Sequence, residues 1–266
     1  MDNQSIENIQ GSVIRLVSHA GARLMEYFTS GDFTSHSKGG VDFATQADDE
    51  IDQFLRESLA KQFPSSQFLT EETAPKDFSS FQDKENLWVI DPIDGTLNFS
   101  RGSEHFAISV ALVDKAKVKL AVVFLPAENK LYTTTTDDSE ALCNKTPMHV
   151  SKTSSLETAV IACDWPWSMN ERKKVHKMLG NILTNVRGIK SMGSAAADLS
   201  ALAEGKIDGY FITGIKPWDM AAATLFIEKA GGKITKLDGS AWNIFDPEVL
   251  ASNGVLHEEL VHLLSK

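Results

Sequence analysis

The segment "WVIDPIDGT", residues 88–96, places two aspartates three positions apart directly after an apolar run. A strand that ended at Asp91 would present its carboxylate at a sheet edge, and Pro92 would fix a turn that returns Asp94 toward the same space. Two carboxylates at this separation repel each other unless a positive group lies between them. An alternative is that Asp94 only caps a helix that begins near Gly95. Taken alone, the segment leaves a cation site and a helix cap both open.

Further acidic residues stand at the ends of predicted elements. "FLTEET" places Glu71 and Glu72 after a short strand, and "KPWDMAA" places Asp219 at a helix start. Carboxylate oxygens are the ligands that Mg²⁺ prefers, whereas the chain has no paired His and Cys arrangement of the kind that binds zinc. Two such ions about 3.5–4 Å apart can activate a water and stabilise both the entering and the leaving oxygen of a phosphoryl transfer. The acids therefore predict a magnesium site suited to that chemistry.

The spacing of the two aspartates distinguishes between two mechanisms. D-x-D-G-T is typical of phosphatases in which an aspartate itself accepts the phosphoryl group, whereas Asp91 and Asp94 stand in D-x-x-D-G-T. The longer spacing favours direct attack by a metal-activated water. Gly95 and Thr96 then lead into a helix whose free N–H groups suit a phosphate. The chain has no G-x-x-x-x-G-K-[ST] loop, so nucleotide hydrolysis of that kind is not indicated.

Composition narrows the class of protein and its partners. The 266 residues carry a formal net charge of −10 and are 42% hydrophobic and 23% charged, which is typical of a globular protein. The acidic balance argues against nucleic acid as a partner, because phosphate backbones favour clustered Lys and Arg. It does not exclude small phosphorylated substrates, since bound metal ions invert the local charge.

Cysteine usage and the apolar runs predict the cellular location. Cys143 and Cys163 have neither C-x-x-C nor metal-ligand spacing, which predicts reduced thiols in a cytoplasmic protein. The first ten residues, "MDNQSIENIQ", lack the pattern of a secretory signal. Apolar runs such as "LAVVFL" are too short to span a bilayer, so no membrane association is expected.

Hydrophobic periodicity and capping residues predict the helices. Apolar residues at helical spacing predict a long first helix over 6–28, and Asp48 stands where the N-cap of a second helix is expected. A later helix covers 171–183. In "SAAADLSALAEG", Ser194 is a candidate cap and Gly205 a stop. "WDMAAATLFIEKAGG" predicts a further helix closed by glycines.

The predicted strands suggest how the chain is divided. Single strands are expected in "SQFLTEE", in "NLWVIDP" with Pro92 at its end, in "TAVIAC" and in "IDGYFIT", and residues 105–136 predict a three-stranded meander. "SGDFTSHSKGGVDFATQ" predicts a flexible loop or hairpin. Because the first half mixes helices with a meander and the second alternates strand and helix, we expect one unit, 1–266, made of two αβ halves, 1–150 and 151–266.

Together these motifs resemble the inositol monophosphatase family of Mg²⁺-dependent, lithium-sensitive phosphatases. "WVIDPIDGTLNF" is similar to the first signature of the family and "WDMAAATLFIEKAGG" to the second. "FLTEET" stands where the family has a metal-binding glutamate, and "SKGGVDFATQAD" resembles its mobile loop. The resemblance covers nearly the whole chain. It implies a mixed α/β fold, a layered αβαβα sandwich that is normally a homodimer.

The resemblance implies two to three Mg²⁺ ions per subunit. Glu71, Asp91 and the carbonyl of Ile93 would hold one ion. Asp91, Asp94 and Asp219 would hold a second, which makes Asp91 the ligand shared by both sites. A third, weaker ion would touch Glu71.

The resemblance also assigns catalytic groups. Thr96 and Asp48 would orient the attacking water, whose proton would pass through the threonine hydroxyl to the carboxylate. The backbone N–H groups of Gly95 and Thr96 would bind the phosphate, and Lys38 would lie in the mobile loop near the metals. Alternatives remain open: Asp48 as an N-cap only, and Lys38 as a surface lysine.

The expected substrate pocket is the part in which this chain departs from the family. By resemblance, the residues expected to contact substrate are Asp94, Gly95, Thr96, Gly193, Ser194, Ala195, Ile212 and Asp164. Animal-type members have a glutamate that binds ring hydroxyls where this chain has Ile212, and "ACDWPWS" is unlike the usual segment at its position. The run that starts at Ser194 also suits close helix packing alone.

The sequence thus favours a Mg²⁺-dependent phosphomonoesterase acting on inositol monophosphate or a related small polyol or sugar phosphate. Within the same chemistry, fructose 1,6-bisphosphate, 3′-phosphoadenosine 5′-phosphate and histidinol phosphate are alternative substrates. An alternative of a different class is a regulatory binding protein that retains the fold and acts through a partner. An intact set of mutually repelling carboxylates argues against that alternative, because a non-catalytic scaffold has no use for them.

Overall fold

The computed structural model describes residues 5–39 and 42–265. The helices in these ranges are α1 (Ile6–Ser30), α2 (Gln46–Gln62), α3 (Thr96–Ser100), α4 (Met169–Leu183), α5 (Ala195–Ala203), α6 (Pro217–Lys229) and α7 (His257–Leu264). The strands are β1 (Ser35–Gly39), β2 (Asp42–Thr45), β3 (Gln67–Thr70), β4 (Leu87–Asp94), β5 (Ala107–Asp114), β6 (Lys117–Leu125), β7 (Lys130–Thr135), β8 (Leu142–Cys143), β9 (Thr146–Pro147), β10 (Val160–Cys163), β11 (Gly188–Lys190), β12 (Gly209–Thr213), β13 (Lys233–Thr235) and β14 (Glu248–Ser252).

These strands form two larger sheets and a hairpin. The first sheet has the order β3-β4-β5-β6-β7-β8-β9, the second has the order β11-β10-β12-β14-β13, and β1 pairs with β2. The predicted meander is confirmed as the antiparallel run from β5 to β7. The strands of the first sheet all precede residue 150 and those of the second all follow residue 151. Whether the two halves are separate domains stays a prediction.

Helices and sheets alternate in five layers. Helices α1 and α2 pack on one face of the seven-stranded sheet, and α5 and α6 lie between this sheet and the five-stranded one. Helices α4 and α7 cover the outer face of the second sheet. The predicted αβαβα sandwich is therefore confirmed. In the described ranges, no helix combines the length and apolar character needed to cross a bilayer.

The first helix shows how local sequence sets an element that the layers then bury. The hydroxyl oxygen of Ser5, the N-cap, accepts a hydrogen bond from the backbone N–H of Asn8 at 3.4 Å. The apolar stripe predicted from spacing is buried, with residues such as Val17 and Leu24 fully inaccessible. Gly31 ends the helix in a left-handed conformation at φ 67°.

The second helix corrects one prediction. Asp48 is not its N-cap: Thr45 is, in extended conformation, and Asp48 is the third helical residue. The carboxylate of Asp48 reaches back to accept from the backbone N–H of Thr45 at 2.7 Å and from its hydroxyl at 2.6 Å. This is the reciprocal arrangement of a capping box, and it leaves the other carboxylate oxygen of Asp48 available for a different partner.

The helix α5 confirms both of its predicted boundaries. Ser194 is the N-cap, and its hydroxyl oxygen accepts from the N–H of Ala197 at 3.4 Å. Gly205 follows the helix with φ 72°, and a Cβ there would lie 2.9 Å from the carbonyl oxygen of His149. A side chain at position 205 would therefore be excluded both by the left-handed backbone and by this close approach.

Candidate metal-dependent catalytic site

A bulge in β4 brings two aspartates to the same side of the seven-stranded sheet. Asp91 pairs with Ser109 and Asp94 with Ala107 on β5, so that three steps along β4 match two along β5. Side chains alternate between faces along a strand, and residues three apart normally point to opposite faces. The extra residue cancels that alternation. The strand therefore does not end at Pro92, as the sequence had suggested, but continues through the proline to Asp94.

The neighbouring strand β3 delivers a glutamate beside the first aspartate. Strands β3 and β4 are parallel, with Thr70 opposite Ile90. The backbone N–H of Glu71 donates to the carbonyl of Ile90 at 3.2 Å, which continues the pairing by one step. At this register Glu71 lies next to Asp91, because the carboxyl ends of the two strands meet at the same edge.

Two helix N-termini complete the set of acids. Asp219 is the third residue of α6, and its carboxylate accepts from the backbone N–H of Lys216 at 2.9 Å. The carboxylate of Asp94 accepts from the hydroxyl of Ser194 at 2.5 Å and from the N–H of Ala196 at 2.6 Å, in the first turn of α5. The positive ends of both helices thus favour negative charge at this point. Asp94 binds the N-terminus of α5, so the alternative that it caps the helix near Gly95 is wrong.

The acid cluster is formed by Asp91, Asp94 and Asp219, each of which offers a carboxylate oxygen within 4.8 Å of the other two. Asp91 is buried, and burial raises its pKa well above the ordinary value, as do the charges of Glu71, Asp94 and Asp219. Burial likewise raises the pKa of Asp94 to about 7, against hydrogen bonds from Ser194 and Ala196 that lower it. Burial and the charge of Asp94 raise the pKa of Asp219. Without a metal ion, these carboxyl groups resist ionisation. Their converging oxygens are the hard donors that a divalent cation such as Mg²⁺ prefers.

The raised pKa values predict how the metal-free protein responds to pH. A carboxyl whose pKa is higher in the folded state stabilises the fold fully below its unfolded pKa, about 3.9, and loses that contribution as the pH rises through the folded value, about 7 for Asp94. In EDTA, the melting temperature should therefore be higher at about pH 5.5 than at about pH 7.5. Saturating Mg²⁺ should reduce this difference, because it stabilises the ionised cluster.

Differential scanning fluorimetry with and without Mg²⁺ measures this effect. Asp94→Asn provides the control, since it removes one titrating carboxyl and should flatten the pH dependence of the metal-free protein. A metal-free melting temperature that rises toward about pH 7.5, and that Mg²⁺ leaves unchanged at either pH, would contradict a cation site at the acid cluster.

A lysine from the hairpin neutralises the glutamate side of the site. The ammonium of Lys38 in β1 lies 2.7 Å from a carboxylate oxygen of Glu71 and 2.7 Å from one of Glu72. Burial lowers the pKa of Lys38, but the two glutamates outweigh it and raise the pKa above its ordinary value. The side chain is 19% exposed, so Lys38 is not the unpartnered surface lysine of the alternative interpretation. Residues 40 and 41 of the expected mobile loop lie outside the described residues, and its mobility stays a prediction.

A threonine hydroxyl links the second helix to the edge of the acid cluster. The hydroxyl of Thr96 lies 3.0 Å from the free carboxylate oxygen of Asp48 and 3.0 Å from the carbonyl of Ile93. Because the hydroxyl has one proton, it donates to only one of these acceptors at a time. Asp48 is fully buried, and burial raises its pKa to about 6 despite the hydrogen bonds from Thr45. Asp48 is thus more than an N-terminal cap: it is a buried carboxylate with a hydroxyl partner at the site.

Two glycines let the segments after β4 and β11 approach closely. Gly95 has φ 95°, and a Cβ there would lie 3.1 Å from the carbonyl oxygen of Gly193. Gly193 has φ 84°, and its N–H donates to the carboxylate of Asp164 at 2.9 Å. An L side chain at either position would be strained by the left-handed backbone. The motif glycine therefore allows the segment that follows Asp94 to lie against the start of α5.

Comparison with known proteins identifies the family. The model of the inositol monophosphatase family matches residues 3–266, almost the whole chain. The chain belongs to the inositol monophosphatase family. Members of this family are phosphatases, so the protein is an enzyme, a phosphoric monoester hydrolase.

Individual relatives agree with this assignment. The chain is 34% identical to "Phosphatase IMPL1, chloroplastic" of Arabidopsis thaliana, over 95% of this chain and 69% of that one. It is 32% identical to "Fructose-1,6-bisphosphatase/inositol-1-monophosphatase" of Thermotoga maritima, over 95% and 94% of the two chains. A solved structure, the extragenic suppressor protein suhB from Bartonella henselae, superposes with a TM-score of 0.89 at 29% identity, covering 97% of this chain and 99% of that one.

The residues that the inositol monophosphatase resemblance assigned to substrate binding are largely occupied by contacts within the protein. One carboxylate oxygen of Asp164 binds Gly193, and the other accepts from the hydroxyl of Tyr210 at 3.0 Å. Ile212 is 6% exposed and belongs to the core between the two sheets. Ala195 is the first residue of α5 and is 8% exposed. Their contact with a substrate stays a prediction.

Two positioning residues were not predicted. The side-chain amide of Asn98 donates to the carbonyl of Met192 at 2.6 Å and to that of His105 at 2.7 Å, which ties α3 to the segment before α5. The imidazole of His105 lies between Glu128 at 3.1 Å and Asp198 at 2.8 Å. Asn98 stands inside the "DGTLNF" stretch of the family signature, and this position could have indicated a role at the site. His105 had no such indication, because its carboxylate partners come from distant parts of the chain.

Proposed function

We propose that the protein is a Mg²⁺-dependent phosphomonoesterase that hydrolyses inositol monophosphate or a related small polyol or sugar phosphate. One observation carries the proposal: four acids from three separate elements, β3, β4 and α6, converge beside the hydroxyl of Thr96 and its buried carboxylate partner. The four acids are Glu71, Asp91, Asp94 and Asp219, and the carboxylate partner of Thr96 is Asp48. Burying carboxylates together is costly in a scaffold and useful where divalent cations bind.

Two ions would be held by overlapping ligand sets. Glu71, Asp91 and the carbonyl of Ile93 would hold the first, and Asp91, Asp94 and Asp219 the second. When bound, the ions supply a lower pKa for a coordinated water and a counter-charge for the phosphate oxygens. A third, weaker ion at Glu71 would compete with the ammonium of Lys38, which already lies 2.7 Å from that carboxylate.

Proton movement would follow the contact between Thr96 and Asp48. The threonine hydroxyl would orient the attacking water. The threonine oxygen would accept a proton from this water as its own hydroxyl proton passes to Asp48. The pKa of Asp48, about 6, suits a base that works near neutral pH. The backbone N–H groups of Gly95 and Thr96 would hold the phosphate oxygens. The water attacks phosphorus directly, and no aspartate becomes phosphorylated.

A phosphate-release panel in Mg²⁺ tests the function. The compounds are inositol 1-phosphate, glycerol 2-phosphate, fructose 1,6-bisphosphate, 3′-phosphoadenosine 5′-phosphate and histidinol phosphate. Fructose 1,6-bisphosphate belongs in the panel because the Thermotoga relative is named for that activity as well as for inositol 1-monophosphate. We expect Mg²⁺-dependent release from at least one polyol or sugar phosphate, abolished by EDTA. Release from none of them would overturn the proposed substrate class.

Lithium inhibition is expected if the second ion site is accessible during turnover. By family resemblance, Li⁺ takes that site after hydrolysis and retains phosphate in the site. The inhibition should therefore be uncompetitive with substrate. Initial rates in LiCl, against NaCl at equal ionic strength, measure it. Equal rates in the two salts up to high concentration would contradict an accessible second site.

A regulatory protein that acts through a partner is the alternative of a different class. The Bartonella relative is named an extragenic suppressor protein rather than a phosphatase, which favours testing it. The acid cluster, in which Asp91 and Asp94 are buried, argues for catalysis instead, since binding a protein partner does not require it. A homodimer, a cytoplasmic location and the lack of a nucleic-acid partner remain our predictions, and sedimentation with and without RNA checks the first and the third.

A further inference from the structure

Three loops leave the five-stranded sheet at one edge. Strand β10 is parallel to both β11 and β12, with Ala162 opposite Lys190 on one side and Tyr210 on the other. Since parallel neighbours end at the same edge, the loops that follow the three strands emerge side by side. These loops are residues 164–168, 191–194 and 214–216. Ligands of α/β proteins commonly bind outside the carboxyl ends of such strands.

Two of these loops already lead into the proposed site. The loop 191–194 ends at Ser194, whose hydroxyl binds Asp94. The loop 214–216 ends at Lys216, whose N–H binds Asp219. The remaining loop, 164–168, supplies no group to the proposed phosphate chemistry.

The loop 164–168 is nevertheless fixed against the other two. Asp164 accepts from the N–H of Gly193 at 2.9 Å. A Cβ on Gly214 would lie 3.3 Å from the Cβ of Pro166, so the loop rests directly on the end of β12. The side chain of Arg172 donates to the carbonyl of Pro166 at 2.7 Å. These contacts hold the loop at the rim of the site.

Two tryptophans project from this anchored loop. Asp164 and Pro166 are buried, whereas Trp165 is 48% exposed and Trp167 is 44% exposed. Both indoles therefore face solvent, while the residues before each of them are covered. In the described ranges, neither indole makes a contact with another aromatic ring. Two large aromatic side chains that are half in solvent on a fixed loop offer apolar ring faces on which a ligand can pack.

We propose that Trp165 and Trp167 form an aromatic platform at the rim of the site, and that the preferred substrate carries a planar ring, of the nucleobase kind, that stacks on it. The inference rests on the proposed function, because a phosphate held at the acid cluster determines where the rest of the ester lies. A flat, apolar ring face suits indole rings, and stacking tolerates different bases because every base has such a face.

A matched pair of esters tests the platform. Adenosine 5′-monophosphate and ribose 5-phosphate share the sugar and phosphate, and only the first carries a base. In Mg²⁺ we expect the wild-type kcat/KM to favour the nucleotide by about tenfold, mainly through KM. The double variant Trp165→Ala/Trp167→Ala should bring this ratio close to one, and Trp165→Phe/Trp167→Phe should keep most of it.

A control variant separates stacking from a general loss of apolar surface. Leu183→Ala removes a side chain that is 63% exposed at the far end of α4 and should leave the ratio unchanged. A wild-type ratio near one, or a ratio that the double alanine variant does not move, overturns the platform. If the double variant instead dissociates a dimer in sedimentation with the ratio unmoved, the tryptophans are a subunit interface and the inference is wrong.

Binding measurements test the aromatic platform independently of the proposed phosphatase function. If no ester of the panel is hydrolysed, the proposed function fails, and calorimetry with the same two compounds still decides the platform. Tighter binding of the nucleotide by wild type, lost in the double alanine variant, supports it. Equal affinities for adenosine 5′-monophosphate and ribose 5-phosphate overturn it.

Discussion

Replacing Asp91 with asparagine should lower kcat at saturating Mg²⁺ by at least about 10²-fold, a loss of about 3 kcal/mol of transition-state stabilisation. Asp91 is the carboxylate proposed to be shared by both ions, and it lies beside Glu71 and within 4.8 Å of Asp94 and Asp219 through its carboxylate oxygen. An asparagine keeps the shape and one oxygen but removes the charge that both cations would share. Phosphate release at several Mg²⁺ concentrations measures the loss.

Stability separates this effect from misfolding. The pKa of Asp91 is raised well above its ordinary value by burial and by neighbouring charges, so ionising it near neutral pH opposes folding. Asp91→Asn should therefore leave the metal-free fold intact and raise its melting temperature. Asp114→Asn is the matched control, because Asp114 ends the neighbouring strand β5 at the opposite edge, where it accepts from Asn86 at 2.7 Å. Near-full turnover by Asp91→Asn would refute the two-ion assignment.

The sequence was informative about this site because three of its acids, Glu71, Asp94 and Asp219, stand at or beside element ends. A short strand followed by Glu71, and a helix that begins just before Asp219, are local patterns that a single chain displays. The alternation of strand and helix predicted two αβ halves, whereas the five-layered αβαβα arrangement was implied by the family resemblance. The capping box is likewise a local pattern, Thr45-x-x-Asp48, in which the threonine is the cap and the aspartate reaches back to it.

What the sequence could not supply was register between distant segments. The bulge that turns Asp91 and Asp94 to one side depends on how β4 pairs with β5, and no residue of β4 alone fixes it. The partners of Asp94 in α5 lie about a hundred positions further along the chain. The same holds for Lys38, whose pairing with Glu71 and Glu72 brings a surface hairpin to the site.

The pair formed by Thr96 and Asp48 makes the second large prediction. Asp48→Asn removes the proton acceptor, and Thr96→Val removes the hydroxyl that lies 3.0 Å from it. Each change should lower kcat by about 10²-fold or more, within the range for a positioned general base. Because both groups serve the same proton transfer, the double variant should be little worse than either single variant.

A double-mutant cycle tests whether the two groups act as one unit. Thr96→Ser keeps the hydroxyl and loses only a methyl group, so it should retain most of the turnover that Thr96→Val loses. Thr45→Val is the structural control: it removes the hydroxyl hydrogen bond to the other oxygen of Asp48, at 2.6 Å, while the backbone N–H bond at 2.7 Å remains. It should lower the melting temperature more than it lowers kcat. If both groups serve one proton path, either single substitution already blocks that path, and the second substitution has little left to remove. A double variant in which the fold-losses of kcat from Asp48→Asn and Thr96→Val multiply would therefore show independent roles and exclude a shared path for the proton.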